Sequence, residues 1–309
     1  ANAGGRMSGG AQGLRVNAST LSGVVNSGLM YGSVTGFALV GSNVSSGINN
    51  QSGGSIGGVY TGVYVTASQI SGGINNASNA TISATIGTGL ALIGGSTLNG
   101  GITNSGLITS QVTNGLALGN AFVSGGLANN TNATISGAFS GLVINLSSIT
   151  GGLTNAGLIT GTTGSGINLT ASGLVGNFNN QSSGTISGAQ YGLTVNASTI
   201  SAGITNAGLI TGTSLAGMYV LSSNIGGSVI NSGGTVTGSQ QGLIVSGSTI
   251  NGNISNSGSL QTVTYAGLAV AQTNVTGSVI NQVGGSISGY YGAGFNGATI
   301  AGGITNAGL

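Results

Sequence analysis

Apolar residues in this chain come in short pulses at i and i+2, divided by Gly, Asn and Ser, and the pulses recur in a fixed order. The phrase Gly101-Ile102-Thr103-Asn104 returns as Gly152-Leu153-Thr154-Asn155, Gly203-Ile204-Thr205-Asn206 and Gly303-Ile304-Thr305-Asn306. Taking the asparagine that closes each phrase gives Asn26, Asn50, Asn76, Asn104, Asn130, Asn155, Asn180, Asn206, Asn231, Asn256, Asn281 and Asn306, a period of about 25 residues. Alternation by two is the mark of a strand with one face turned inward.

Each period carries three pulses, which predicts three short strands per rung. The first joins an aliphatic to the recurring phrase, as Ile200 with Ile204; the second holds one aliphatic, such as Ile108, Ile135 or Ile186; the third reads Gly-Leu-x-Val, with Leu142 and Ile144 or Leu193 and Val195 as its inward pair. The pattern predicts an all-β parallel β-solenoid of about 12 rungs, a single continuous array over residues 1–309 without caps. Rungs stacked at about 4.8 Å make a rod of roughly 58 Å. No stretch holds a 3.6-residue period, and 66 glycines among many β-branched residues argue against helix.

An amide recurring once per rung points to a ladder of side-chain hydrogen bonds running up the stack. The candidate ladder is Asn104, Asn130, Asn155, Asn180, Asn206, Asn231, Asn256, Asn281 and Asn306.

Rungs also alternate in kind. One sort reads Asn155-Ala156-Gly157-Leu158-Ile159-Thr160, the other Asn180-Gln181-Ser182-Ser183-Gly184-Thr185-Ile186, so the unit is two coils. Aligning the inward isoleucines sets Leu107, Leu158 and Leu209 outward where the alternate coils have Thr134, Thr185, Thr235 and Ser286. Outward positions of the Gly-Leu-x-Val strand include Tyr64, Val143, Tyr219 and Ile244. These seven apolar residues form the candidate association face, because uncovered apolar area without charge repulsion favours contact between molecules. Tyr60, Phe139, Tyr191, Tyr265 and Tyr291 sit just before the glycine of that strand, a corner track where surface carbohydrate is a candidate partner.

Composition removes most chemistry. The chain has two arginines, Arg6 and Arg15, and no Asp, Glu, His, Lys or Cys, so the usual proton carriers, strong nucleophiles and hard-metal ligands are missing. The expectation is a protein that is not an enzyme and has no cofactor and no metal. Two positive charges make no footprint for nucleic acid, and no apolar run reaches the roughly 18 residues of a membrane helix. Sequons such as Asn17-Ala18-Ser19, Asn145-Leu146-Ser147, Asn168-Leu169-Thr170 and Asn196-Ala197-Ser198 are expected by composition alone.

Lines such as Gly101-Ile102-Thr103-Asn104-Ser105-Gly106-Leu107-Ile108-Thr109 and Gly242-Leu243-Ile244-Val245-Ser246-Gly247-Ser248-Thr249-Ile250 resemble the passenger repeats of bacterial autotransporters and of filamentous-haemagglutinin-like adhesins. The resemblance implies a right-handed parallel β-helix, display outside the cell at the bacterial surface, and no cofactor. The lack of any acid and of a C-terminal outer-membrane barrel departs from that family. The functional expectation is a structural subunit or shaft of an extracellular surface fibre whose partner is itself, associating through uncharged faces and uncapped ends. The alternative is an adhesin stalk that presents a binding tip outside this segment. Ice binding through Thr-x-Thr rows ranks third, since only isolated instances such as Thr160-Gly161-Thr162 occur, and catalysis ranks last.

Overall fold

The computed structural model describes residues 1–309 as one parallel β-solenoid. Each coil lays down four strands, and each strand pairs in parallel with its counterparts one coil before and one coil after, giving four 12-stranded sheets. In one coil, Thr185–Gly188 lies in the first sheet, Tyr191–Asn196 in the second, Thr199–Ile200 in the third and Ile204–Asn206 in the fourth. No helix is long and apolar enough to cross a membrane.

The pattern of pulses predicts three strands per rung, and the structure has four. Ile200 ends a strand of the third sheet, Ser201–Gly203 turn a corner, and Ile204 opens the fourth sheet. Both aliphatics enter the core, Ile200 and Ile204 being fully buried. They stand four residues apart, an even number, so alternation by two cannot separate one strand from two short ones bent between them.

Five inward positions fill each coil: here Ile186, Leu193, Val195, Ile200 and Ile204, all inaccessible to solvent. Parallel register sets like over like, with Ile159, Ile186 and Ile210 stacked in the first sheet. The stacks merge into one cluster of 53 buried residues running through the rod. At about 1.5–3 kcal/mol per buried aliphatic, this cluster supplies the main favourable term against the entropy of ordering the chain.

The glycine of the Gly-Leu-x-Val phrase is fixed by close approach between coils. A Cβ on Gly192 would lie 2.7 Å from the Gly217 carbonyl oxygen and 2.6 Å from the Ile210 side chain; on Gly141 it would lie 2.8 Å from the Gly166 oxygen and 2.7 Å from Ile159. The second-sheet strand crosses close over the first-sheet aliphatic there, and only hydrogen fits.

Alternation between coils is a matter of corners. Two residues separate the fourth sheet from the next first-sheet strand at Asn104–Leu107 and Asn155–Leu158, and four at Asn129–Thr134 and Asn180–Thr185. The corner between first and second sheets runs opposite. It holds three residues between Ser110 and Asn114 and between Gly212 and Ala216, but two between Gly137 and Ser140 and between Gly188 and Tyr191. Across these coils the opposed lengths hold the period near about 25, and there the first sheet is bordered by ridges on alternate sides; the coils of Ser55–Gly58 and Thr81–Ala84 break the alternation, with four residues before the first-sheet strand in both.

Gly192→Ala is expected to cost about 1–3 kcal/mol through overpacking. Gly10→Ala, where an added Cβ meets nothing within 4 Å, is expected to stay within about 0.5 kcal/mol. Urea midpoints of the two variants check the contrast; equal midpoints would overturn the close-approach explanation.

Candidate functional surfaces: two internal ladders and the faces outside them

The fourth-sheet strands end on an asparagine whose side chain points into the core corner. Its Nδ2 donates to Oδ1 of the asparagine one coil on, from Asn2 through Asn26, Asn50, Asn76, Asn104, Asn129, Asn155, Asn180, Asn206, Asn231, Asn256 and Asn281 to Asn306, at 2.7–2.9 Å throughout. The same nitrogen reaches backbone carbonyls: that of Asn180 lies 3.2 Å from the oxygens of Gly184 and of Leu209. Every amide points the same way along the rod, and the carbonyls around each Nδ2 fix that orientation.

Asn130 does not belong to the ladder; Asn129 takes the rung. Inward residues in this strand are two apart, so Leu127 selects Asn129, as Ile48 selects Asn50 and Phe178 selects Asn180. Asn130 stands one residue beyond, with its side chain outside, and donates to Ser105 Oγ at 2.8 Å.

A second ladder runs up the corner between second and third sheets, and the sequence reading missed it. The backbone N–H of Ser172 donates to Ser198 Oγ, that of Ser198 to Ser223 Oγ and that of Ser223 to Ser248 Oγ, each at 3.1 Å. Each hydroxyl turns back to the carbonyl two residues before it, at 2.7 Å for Ser198 to Asn196. The preceding residue is left-handed, with φ near 47° at Ala171, Ala197 and Ser222. Ala121 interrupts the series but still donates its N–H to Ser147 Oγ at 3.0 Å. The available signal is a hydroxyl residue two positions before the third-sheet aliphatic, as Ser198 before Ile200.

This ladder also accounts for three sequons. The serines of Asn17-Ala18-Ser19, Asn145-Leu146-Ser147 and Asn196-Ala197-Ser198 hold the corner by donating to the asparagine carbonyl at 2.7, 2.8 and 2.7 Å. In Asn168-Leu169-Thr170, the threonine hydroxyl donates to Asn168 Oδ1 at 2.8 Å.

The seven residues of the candidate association face occupy two different sheets. Leu107, Leu158 and Leu209 are outward on the first sheet, half-buried, and alternate in register with Thr134, Thr185 and Thr235. Two residues along each strand lies a column of hydroxyls: Ser83, Thr109, Ser136, Thr160, Ser187, Thr211 and Thr237. Thr162 is not part of it; it lies in the corner and donates to the Ala138 oxygen.

Tyr64, Val143, Tyr219 and Ile244 are outward on the second sheet. Only Tyr219 and Ile244 are neighbours there, while Tyr64 lies between Ala38 and Ala91 and Val143 between Ala117 and Asn168. The aromatic corner residues are likewise dispersed. Tyr60 and Phe139 share one corner with two coils between them, where Ile86 and Val112 stand, whereas Tyr191 opens its strand and stacks on Tyr219 at 5.4 Å. Burial, and next the neighbouring Tyr219, raise the pKa of the Tyr191 phenol above its ordinary value.

Two outcomes follow. Asn180→Asp keeps the acceptor for Asn155 but turns a carboxylate toward the oxygens of Gly184, Leu209 and Asn206. Its folded-state pKa is raised, so stability is lost as pH rises through that value. Denaturant titration should show a loss of about 3–5 kcal/mol at pH 7 that is largely recovered below about pH 4; equal losses at both would remove charge as the cause. The wild-type chain has no Asp, Glu, His, Lys or Cys, so unfolding free energy should vary little between about pH 4 and 9. It should decline above about pH 10, because a phenol with a raised folded pKa loses its contribution as pH climbs through that pKa. Thermal melts across the range check this.

No protein family, curated protein or solved structure matches this chain.

Proposed function

We propose that the chain is a structural shaft of an extracellular fibre at a bacterial surface, and that its copies associate side by side through uncharged faces. The observation that carries this reading is the combination of one uninterrupted core along 12 coils with a surface holding two charges, Arg6 and Arg15, both in the first coil. A coil contacts only its neighbours, so such a rod sets length and stiffness. Near-zero charge removes the repulsion that keeps ordinary proteins apart. The reading assigns the chain no catalysis, cofactor or nucleic-acid partner, since apart from Arg6, Arg15 and three methionines its side chains are amides, hydroxyls and hydrocarbons.

Sedimentation velocity across a concentration series tests it. Average mass should climb with concentration and be unaffected by raising salt from about 0.01 to 1 M, a range over which charge-driven contacts are screened away. Monodisperse monomers at the highest concentration would overturn lateral association. Single rods found joined to a separate non-repeating domain would favour an adhesin stalk.

A further inference from the structure

The corner between the first and second sheets carries a large apolar side chain in five consecutive coils: Val34, Tyr60, Ile86, Val112 and Phe139. They are exposed by 39, 54, 44, 54 and 54 %. Backbone hydrogen bonds tie these corners together at three of the four steps, with Tyr60 N–H donating to the Val34 oxygen at 2.9 Å, Ile86 N–H to the Val59 oxygen at 2.6 Å and Phe139 N–H to the Thr113 oxygen at 2.8 Å. The stripe follows one edge of the rod for four coil steps, about 19 Å, stepping aside where Gly87 rather than Ile86 lies over the Tyr60 backbone. It stops at both ends. Coil one has Gly10-Ala11 at this corner, and the seventh coil has Thr162 and Thr163, whose hydroxyls donate to the Ala138 oxygen at 3.0 and 2.7 Å. Contiguous exposed apolar surface of a few hundred Å² on a soluble protein marks a contact site.

The order of sizes along the stripe selects an occupant. From Val34 it runs small, large, middle, small, large, and from Phe139 large, small, middle, large, small, with Ile86 at the centre. Two copies lying side by side in parallel register would set Tyr60 on Tyr60 and Phe139 on Phe139, and Val34 on Val34 with a gap. Two copies related by a two-fold axis through Ile86 set Val34 against Phe139, Tyr60 against Val112 and Ile86 against itself. Each large side chain then meets a small one. Tyr60 stands on a two-residue corner and Val112 on a three-residue one, whereas Val34 and Phe139 both stand on two-residue corners. No charged residue lies on the stripe, and Arg6 and Arg15 lie beyond its end.

We propose that this edge is an isologous, antiparallel contact between two copies of the chain, centred on Ile86. The proposal rests on the reading that the chain self-associates and names the face and direction of that association.

The chain has no cysteine, so single introduced thiols report the geometry. A disulfide needs Cα atoms within roughly 7 Å. Under mild oxidation, Ile86→Cys should give a linked dimer. Val34→Cys and Phe139→Cys should each remain unlinked alone, because the two-fold holds like positions about 19 Å apart, and should link when mixed. Ile86→Asn should weaken dimerisation at least tenfold by sedimentation, and circular dichroism of each variant should match the parent. Val34→Cys linking to itself as readily as Ile86→Cys would overturn the antiparallel arrangement. Wild-type association without any linkage at positions 34, 86 or 139 would overturn the face while leaving the shaft reading intact. A wild-type chain that stays monomeric would remove the lateral association on which both depend.

Discussion

Parallel stacking in register is the constraint from which the rest of the molecule follows. Once a coil rises by one strand spacing, each residue lies against its counterpart in the next coil, and any side chain used must tolerate itself as a neighbour every few ångströms. Aliphatics meet this inside, which yields columns such as Ile159, Ile186 and Ile210. Asparagine meets it at a buried corner because one amide is both donor and acceptor and can pass a hydrogen bond upward indefinitely. Serine does so beside a left-handed residue, its oxygen accepting from the previous coil while its proton returns to its own strand. A carboxylate or an ammonium cannot, since like charges would stack at the same interval.

This bears on the near absence of charge. A repeated acid or base in an in-register column repels its own copies, whereas Ser, Thr, Asn and Gln satisfy one another. The surface left by that rule carries two charged side chains among hydroxyls, amides and apolar groups. Solubility then depends on hydroxyls and amides, and contact between copies meets little electrostatic resistance. Fold and the proposed association thus share a physical origin in the register of the stack.

Much of this was legible in the sequence. Recurrence of the Gly-Ile-x-Asn phrase gave the solenoid, the period and the coil count, and the amide recurring in every coil pointed to the ladder. What failed did so for definite reasons. Ile200 and Ile204 share parity, so a corner between them leaves no trace in a two-residue alternation, and three strands were read where four exist. Asn129 and Asn130 are adjacent, and only the spacing from Leu127 tells which one faces inward. The serine ladder was hidden because its hydroxyls look like ordinary turn residues in a chain full of serine. The apolar edge was seen in part, at Tyr60 and Phe139, but the aliphatics between them at Ile86 and Val112 lie at three-residue corners, against two residues at Tyr60 and Phe139. Alignment by sequence alone does not superimpose such positions.

The central claim is a neutral rod of stacked coils that packs sideways, and X-ray diffraction from an aligned, concentrated film tests it most directly. The account predicts a meridional reflection near 4.8 Å from the coil rise, a weaker one near about 9.6 Å from the alternating corners, and sharp equatorial reflections from regular lateral packing. A film with the meridional reflections but only diffuse equatorial scatter would contradict the lateral packing. Loss of the 4.8 Å reflection itself would contradict the stacked coil.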